Sequence, residues 1–140
     1  GVMWGLSKST IELSEEGHGV FSGHVSLDNN GGFASVRLPT ATKVTNNNQE
    51  IILKVKGDGK TYQCRLKGSR SQPESYVQEF TTSGEWQTIQ LKVKDFSPQF
   101  RGRKLNKPNF NFESIQLIGF LISNKREEDF KLLIDSIELI

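Results

Sequence analysis

Few side chains in this sequence are of a type and spacing that could do chemistry. The two histidines, His18 and His24, lie six residues apart with the same strand parity. A tetrahedral metal site needs three or four nitrogen, sulfur or oxygen ligands. No acid or cysteine cluster accompanies this pair, so both read as solvated strand residues. The single cysteine, Cys64, excludes an internal disulfide and a thiolate-rich zinc site. It sits in phase with Tyr62 and Leu66, where apolar neighbours disfavour a reactive thiolate. No serine stands in a G-x-S-x-G nucleophile pattern. Asp28, Asp58, Glu74, Glu79, Glu85, Asp95 and Asp135 show no spacing that singles out a paired-carboxylate cleft. The turn acids are explained by turn hydrogen bonding and solvation. Asp135 is different, because it interrupts an apolar run. It faces solvent, satisfies backbone groups at a bulge, or ligates a hard cation; no ligand loop accompanies it, which favours the first two. Catalytic residues, cofactors and a metal are therefore not expected.

Recognition chemistry is better represented. Arg101, Arg103, Lys104 and Lys107 place four positive charges in a short Gly-containing segment. A planar guanidinium beside Gly102 can approach a carboxylate closely, or it can pin a long loop to the edge of the fold. Both roles stay open. Nucleic acid is disfavoured, because no aromatic residues interleave with these cations for base stacking. Trp4, in the Gly-flanked Gly1–Ser7 segment, and Trp86, opening a strand, raise the question of sugar stacking. Trp4 is the better candidate for an exposed platform.

The elements that must position these groups are short and alternating. Val20–Leu27 places Phe21, Val25 and Leu27 on one face. After Asn29-Asn30-Gly31-Gly32, Phe33–Leu38 places Ala34, Val36 and Leu38 in phase. Ile51–Lys56 and Thr61–Lys67 flank the Gly57–Lys60 turn, with Tyr62, Cys64 and Leu66 on one face. Tyr76–Phe80 is a weaker strand, and Trp86–Val93 turns Ile89, Leu91 and Val93 inward. Ile115–Ile122 is apolar on both faces, as in a central strand covered on both sides. Ser97–Asn111, with two prolines and the basic cluster, reads as a long loop. Phe130–Ile140 fits a strand or a helix face equally. If it is a strand, the inward phase changes between Ile134 and Ile137, which predicts a bulge near Asp135-Ser136.

Length and composition frame this pattern. The chain has 140 residues, 34% hydrophobic and 24% charged, with a formal charge of +2. One core is the expectation, spread over a single domain 1–140, without disulfide or metal support. The balance of charge is too even to advertise a nucleic-acid or anionic-membrane surface. The longest apolar stretch, Leu117–Ile122, is far short of the roughly 20 residues of a spanning helix. A soluble domain is expected. No basic, apolar leader opens the chain as given, and a longer parent can carry one upstream.

Several segments taken together resemble one family. They are Gly1–Ser7, Phe21-Ser22-Gly23, Asn29–Arg37, Val55–Tyr62, Gly84-Glu85-Trp86-Gln87, Phe100-Arg101-Gly102-Arg103, Ile118–Ser123 and Phe130–Ile137. In this order, over nearly the whole chain, they are similar to the domain of the complex I intermediate-associated protein family, which has mitochondrial and bacterial members. The family usually has Gly where Trp4 stands. The resemblance implies an all-β jelly-roll sandwich of the galactose-binding-like type, and hence a strand for the last segment. It also implies that a first family strand lies upstream of Gly1.

What the resemblance implies about function is a non-catalytic assembly factor that recognises protein, namely intermediates of a respiratory complex. Its place would be mitochondrial in a eukaryote and cytoplasmic in a bacterium. The expected binding face combines Arg37, Tyr62, Arg101 and Arg103 beside the Asn29–Gly32 and Gly57–Lys60 turns. The alternative is a carbohydrate-binding module stacking sugar on Trp4 or Tyr62. In some sugar-binding relatives of this fold an acid placed like Asp135 holds calcium. No upstream partner acid is identifiable here, so that site is not carried over.

Overall fold

Alternating side chains build strands throughout the computed structural model, which describes residues 10–13, 19–27 and 32–140. In chain order the strands are β1 (Thr10–Leu13), β2 (Gly19–Val25), β3 (Ala34–Lys43), β4 (Glu50–Lys56), β5 (Thr61–Lys67) and β6 (Ser75–Thr81). They continue as β7 (Trp86–Lys92), β8 (Ser97–Phe100), β9 (Arg103–Lys104), β10 (Ser114–Ile122) and β11 (Glu128–Leu139). All pairings are antiparallel. One sheet has the order β1-β2-β11-β4-β7 and the other β3-β10-β5-β6-β8-β9. The two layers form a jelly-roll sandwich. Among the described residues no helix is long and apolar enough to cross a membrane.

The core lies between the sheets and follows the period of two. Phe21, Val36, Leu53, Val55, Tyr62, Cys64, Leu66, Phe120 and Leu132 are each essentially inaccessible. Phe21 packs on Phe130 with ring centroids 4.8 Å apart, and Tyr62 stacks on Phe80 at 6.0 Å. Tilted and offset ring pairs of this kind add to the gain from burial alone. A second aromatic group, Tyr76, Phe110 and Phe112, packs in mutual edge-to-face contacts at 5.1–5.5 Å and anchors the segment leading into β10.

The last segment is a strand, and its register shifts between Ile134 and Ser136, where the change of inward phase predicts a bulge. Three expectations are corrected. Ser97–Asn111 is not simply a long loop: β8 and β9 form a tight hairpin at its start, with Arg101 at φ 51° and Gly102 at φ 77°. Positive φ at both turn residues matches the strand twist, as in a type I′ turn. Leu27 lies beyond the end of β2 and is half exposed. Finally, β10 is central but not covered by a third layer. Ile115, Ile118, Phe120 and Ile122 face the core, while Leu117, Gly119 and Leu121 floor an open groove.

Candidate functional site: a cationic groove across the six-stranded sheet

The outer face of the six-stranded sheet carries a groove of about 550 Å³. Strand parity decides who lines it. Because Tyr62, Cys64 and Leu66 of β5 point into the core, Gln63, Arg65 and Lys67 point into the groove. Ser35 and Arg37 of β3 line it for the same reason. The β8–β9 hairpin closes one side with Gln99, Phe100 and Arg101. Among the described residues no carboxylate lines the groove, whereas Arg37, Arg65, Lys67 and Arg101 all do.

The register makes the arrangement specific. Gly119 of β10 lies directly opposite Arg37 on one side and Arg65 on the other. Leu121 pairs likewise with Ser35 and Gln63. With strands about 4.8 Å apart, the Cα atoms of Arg37 and Arg65 straddle Gly119 at roughly 10 Å. A Cβ at Gly119 would come within 2.7 Å of the Val36 carbonyl oxygen, so the floor between the two arginines is held to a bare backbone.

Among the described residues the groove's positive charge is only partly compensated. Burial lowers the Arg65 guanidinium's proton affinity, and the neighbouring Arg37 charge lowers it further. The Arg65 Nε is buried without a hydrogen-bond partner. Lys67 is buried, and its affinity for its proton is lowered by burial, then by Arg37 and Arg65, with Glu74 opposing. Its Nζ donates to the Gln72 carbonyl at 2.7 Å. Glu74, between the lining residues Pro73 and Ser75, is engaged by Lys107 at 2.8 Å, and that hydrogen bond holds its carboxyl below the usual range. Glu79 shares the sheet's outer face opposite Gln63, yet among the described residues it forms no ion pair with Arg65.

Other residues singled out in the sequence fall elsewhere. Arg37 and Arg101 are exposed and share the groove; Arg103 is exposed on β9 but is not among its lining residues. Tyr62 presents no surface at all, because its ring is wholly buried and its hydroxyl donates to Asp58 at 2.8 Å. It therefore serves neither as a contact residue nor as a sugar platform. Trp4, His18 and the Asn29–Gly31 turn lie outside the described residues. Trp86 is partly exposed at the edge of the opposite sheet. Asp135 is half-exposed beside the β11 bulge, 3.8 Å from Lys54 Nζ. His24 bonds Asp129 at 2.8 Å across the β2–β11 pair, with both side chains exposed. Cys64 is fully buried, and that burial raises its thiol pKa well above the usual value. Sequence reasoning missed Arg65, Lys67 and Gly119. The signal for the first two was the outward parity of β5 itself.

Comparison with known proteins supplies a family. The model of complex I intermediate-associated protein 30 matches residues 1–134. A protein of Caenorhabditis briggsae named probable complex I intermediate-associated protein 30, mitochondrial, is 27% identical over 95% of this chain and 46% of its own length. Its Caenorhabditis elegans counterpart is 26% identical with the same coverage. The chain thus spans about half the length of the curated relatives it matches. Among solved structures, a family 11 carbohydrate-binding module of Clostridium thermocellum, in complex with a mixed-linked tetrasaccharide, superposes with a TM-score of 0.68. It is 18% identical, covering 94% of this chain and 81% of the module, and shares the fold.

Proposed function

Because the chain belongs to the complex I intermediate-associated protein 30 family, we propose that it is a non-catalytic binding domain acting in assembly by protein–protein recognition. The partners are intermediates of respiratory complex I, and the compartment is the mitochondrial one in a eukaryotic source and the cytoplasm in a bacterial one. The observation that supports this reading is the groove: a sheet face with four cationic lining residues and, among the described residues, no acid. Such a surface offers charge for a partner to neutralise. Arg37 and Arg101 are the contact residues foreseen in the sequence, and Arg103 extends the same cationic edge beyond the groove.

The carbohydrate alternative draws on the shared sandwich with the family 11 module. Against it, no Trp or Tyr is among the described residues that line the groove, and the Phe100 ring carries the Arg101 guanidinium over its face at 5.2 Å. The test is purification of the tagged full-length protein from its source cells, followed by native electrophoresis and mass spectrometry. Co-migration with complex I subunits in a subcomplex is expected. Migration apart from them, together with retention on a neutral polysaccharide affinity gel, would overturn the reading in favour of sugar.

A further inference from the structure

The row Arg37–Gly119–Arg65 defines a ligand more narrowly than a general cationic surface does. We propose that this row is a seat for a single carboxylate of an extended polypeptide, whose flanking apolar side chains rest on Leu117 and Leu121. The proposal rests on the protein-recognition reading above and names the chemistry of the recognised segment.

Three observations converge on it. Arg37 and Arg65 flank a position with no side chain, leaving a slot between two guanidinium groups. A carboxylate accepts from two such forks at once, and its charge relieves the repulsion between them. A neutral ligand would leave that repulsion in place. The buried Arg65 Nε lacks an acceptor within the fold, so the guanidinium beside the slot is incompletely bonded. The floor along β10 alternates apolar, bare and apolar at Leu117, Gly119 and Leu121. That spacing is the two-residue repeat of a β-strand, about 6.7 Å, which an extended polypeptide laid along the groove shares. An apolar-x-acid-x-apolar segment is therefore in step with the floor. Lys67 and Arg101, at either side, favour further acids outside the central one.

The probe is the capped peptide Ser-Leu-Ser-Glu-Ser-Leu-Ser, with its Gln-for-Glu counterpart as control. Titration into the ¹⁵N-labelled domain, followed by two-dimensional NMR, should shift the amide resonances of Gly119 and its strand neighbours with the Glu peptide. The Gln peptide should bind about tenfold or more weakly, as should the Glu peptide to Arg65→Met or to the exposed Arg37→Gln. Raising the salt concentration should weaken the Glu peptide selectively. Equal affinity for both peptides, shifts that map away from Gly119, or undiminished binding by both variants would each overturn the proposal. So would tight binding of oligogalacturonate with no response to either peptide, which would make the groove an acidic-glycan site. The two readings fail separately. If both variants still co-purify with complex I subunits as the wild type does, the groove assignment falls and the assembly role stands. If the Glu peptide binds but no complex I subunit ever co-purifies, the reverse holds.

Discussion

Two polar regions of this sandwich treat charge in opposite ways. At the β4–β5 turn, one carboxylate gathers donors from three parts of the chain. Asp58 accepts the Tyr62 hydroxyl and the Lys131 backbone N–H at 2.8 Å each, and the Lys60 backbone N–H and ammonium at 3.3–3.4 Å. Tyr62 belongs to the six-stranded sheet and Lys131 to the five-stranded one, so this knot ties the layers together. Across the groove, by contrast, Arg37, Arg65 and Arg101 share one space that, among the described residues, no carboxylate lines. Buried polar groups are normally satisfied within the fold. The knot obeys that rule and is structural; the groove breaks it at the buried Arg65 Nε and leaves its exposed arginines without a facing acid among the described residues.

The contrast breaks first at Asp58. Asp58→Ala strands the buried Tyr62 hydroxyl and the Lys131 N–H at once, and should cost about 3 kcal/mol in urea unfolding. A loss below about 1 kcal/mol would show that water replaces the knot. Gly119→Ala comes next. Its new methyl meets the Val36 carbonyl oxygen, so β3 and β10 must part slightly, at a cost of about 2 kcal/mol. Unlike Asp58→Ala, this change should also weaken acidic-peptide binding by filling the slot, which a combined denaturation and titration experiment would read.

A pH scan sharpens the comparison on the knot's side. Burial, then the hydrogen bond to Asp58, raises the Tyr62 pKa well above its ordinary value of 10.0. Above pH 10 the unfolded chain releases this proton while the folded chain keeps it. The stability is complete below pH 10 and should fall by about 1.4 kcal/mol per pH unit above it. Cys64, raised by burial from 9.0, adds a similar slope beginning one unit lower. Burial raises Tyr76 from the same starting value as Tyr62, so Tyr62→Phe should lose only its own part of the slope and keep those of Cys64 and Tyr76, which chemical denaturation between pH 8 and 11 would reveal.

How much of this was legible beforehand follows from what is local. The period of two in Tyr62-Gln63-Cys64-Arg65-Leu66-Lys67 shows which face each residue takes, and the structure agrees. The bulge at Asp135-Ser136 was visible because a phase change is written in consecutive residues. The hairpin of β8 and β9 was not, because its turn uses Arg101-Gly102 where Asn-Gly or Asp-Gly would be the usual signal. Nor could parity say that Arg37 and Arg65 share a row. That depends on β10, more than fifty residues further along, being inserted between β3 and β5 with Gly119 in register. Tyr62 misled for a related reason: a residue shared with a family can be shared because the core and a polar knot need it.

The smallest effect has the opposite sign, and it is the most diagnostic. Arg65 keeps a charge in a half-buried position beside Arg37, without an acceptor for its Nε. Replacing it by Met keeps an unbranched stem over the sheet while removing both the desolvated charge and the repulsion. Arg65→Met should therefore leave the fold intact and raise its stability, by up to about 1 kcal/mol, seen as a higher melting temperature. Low salt should enlarge the gain, because the like-charge repulsion it removes is least screened there. A destabilised Arg65→Met would instead mean that the guanidinium is a strut whose contacts outweigh its charge, and would move Arg65 to the same side of the comparison as Asp58.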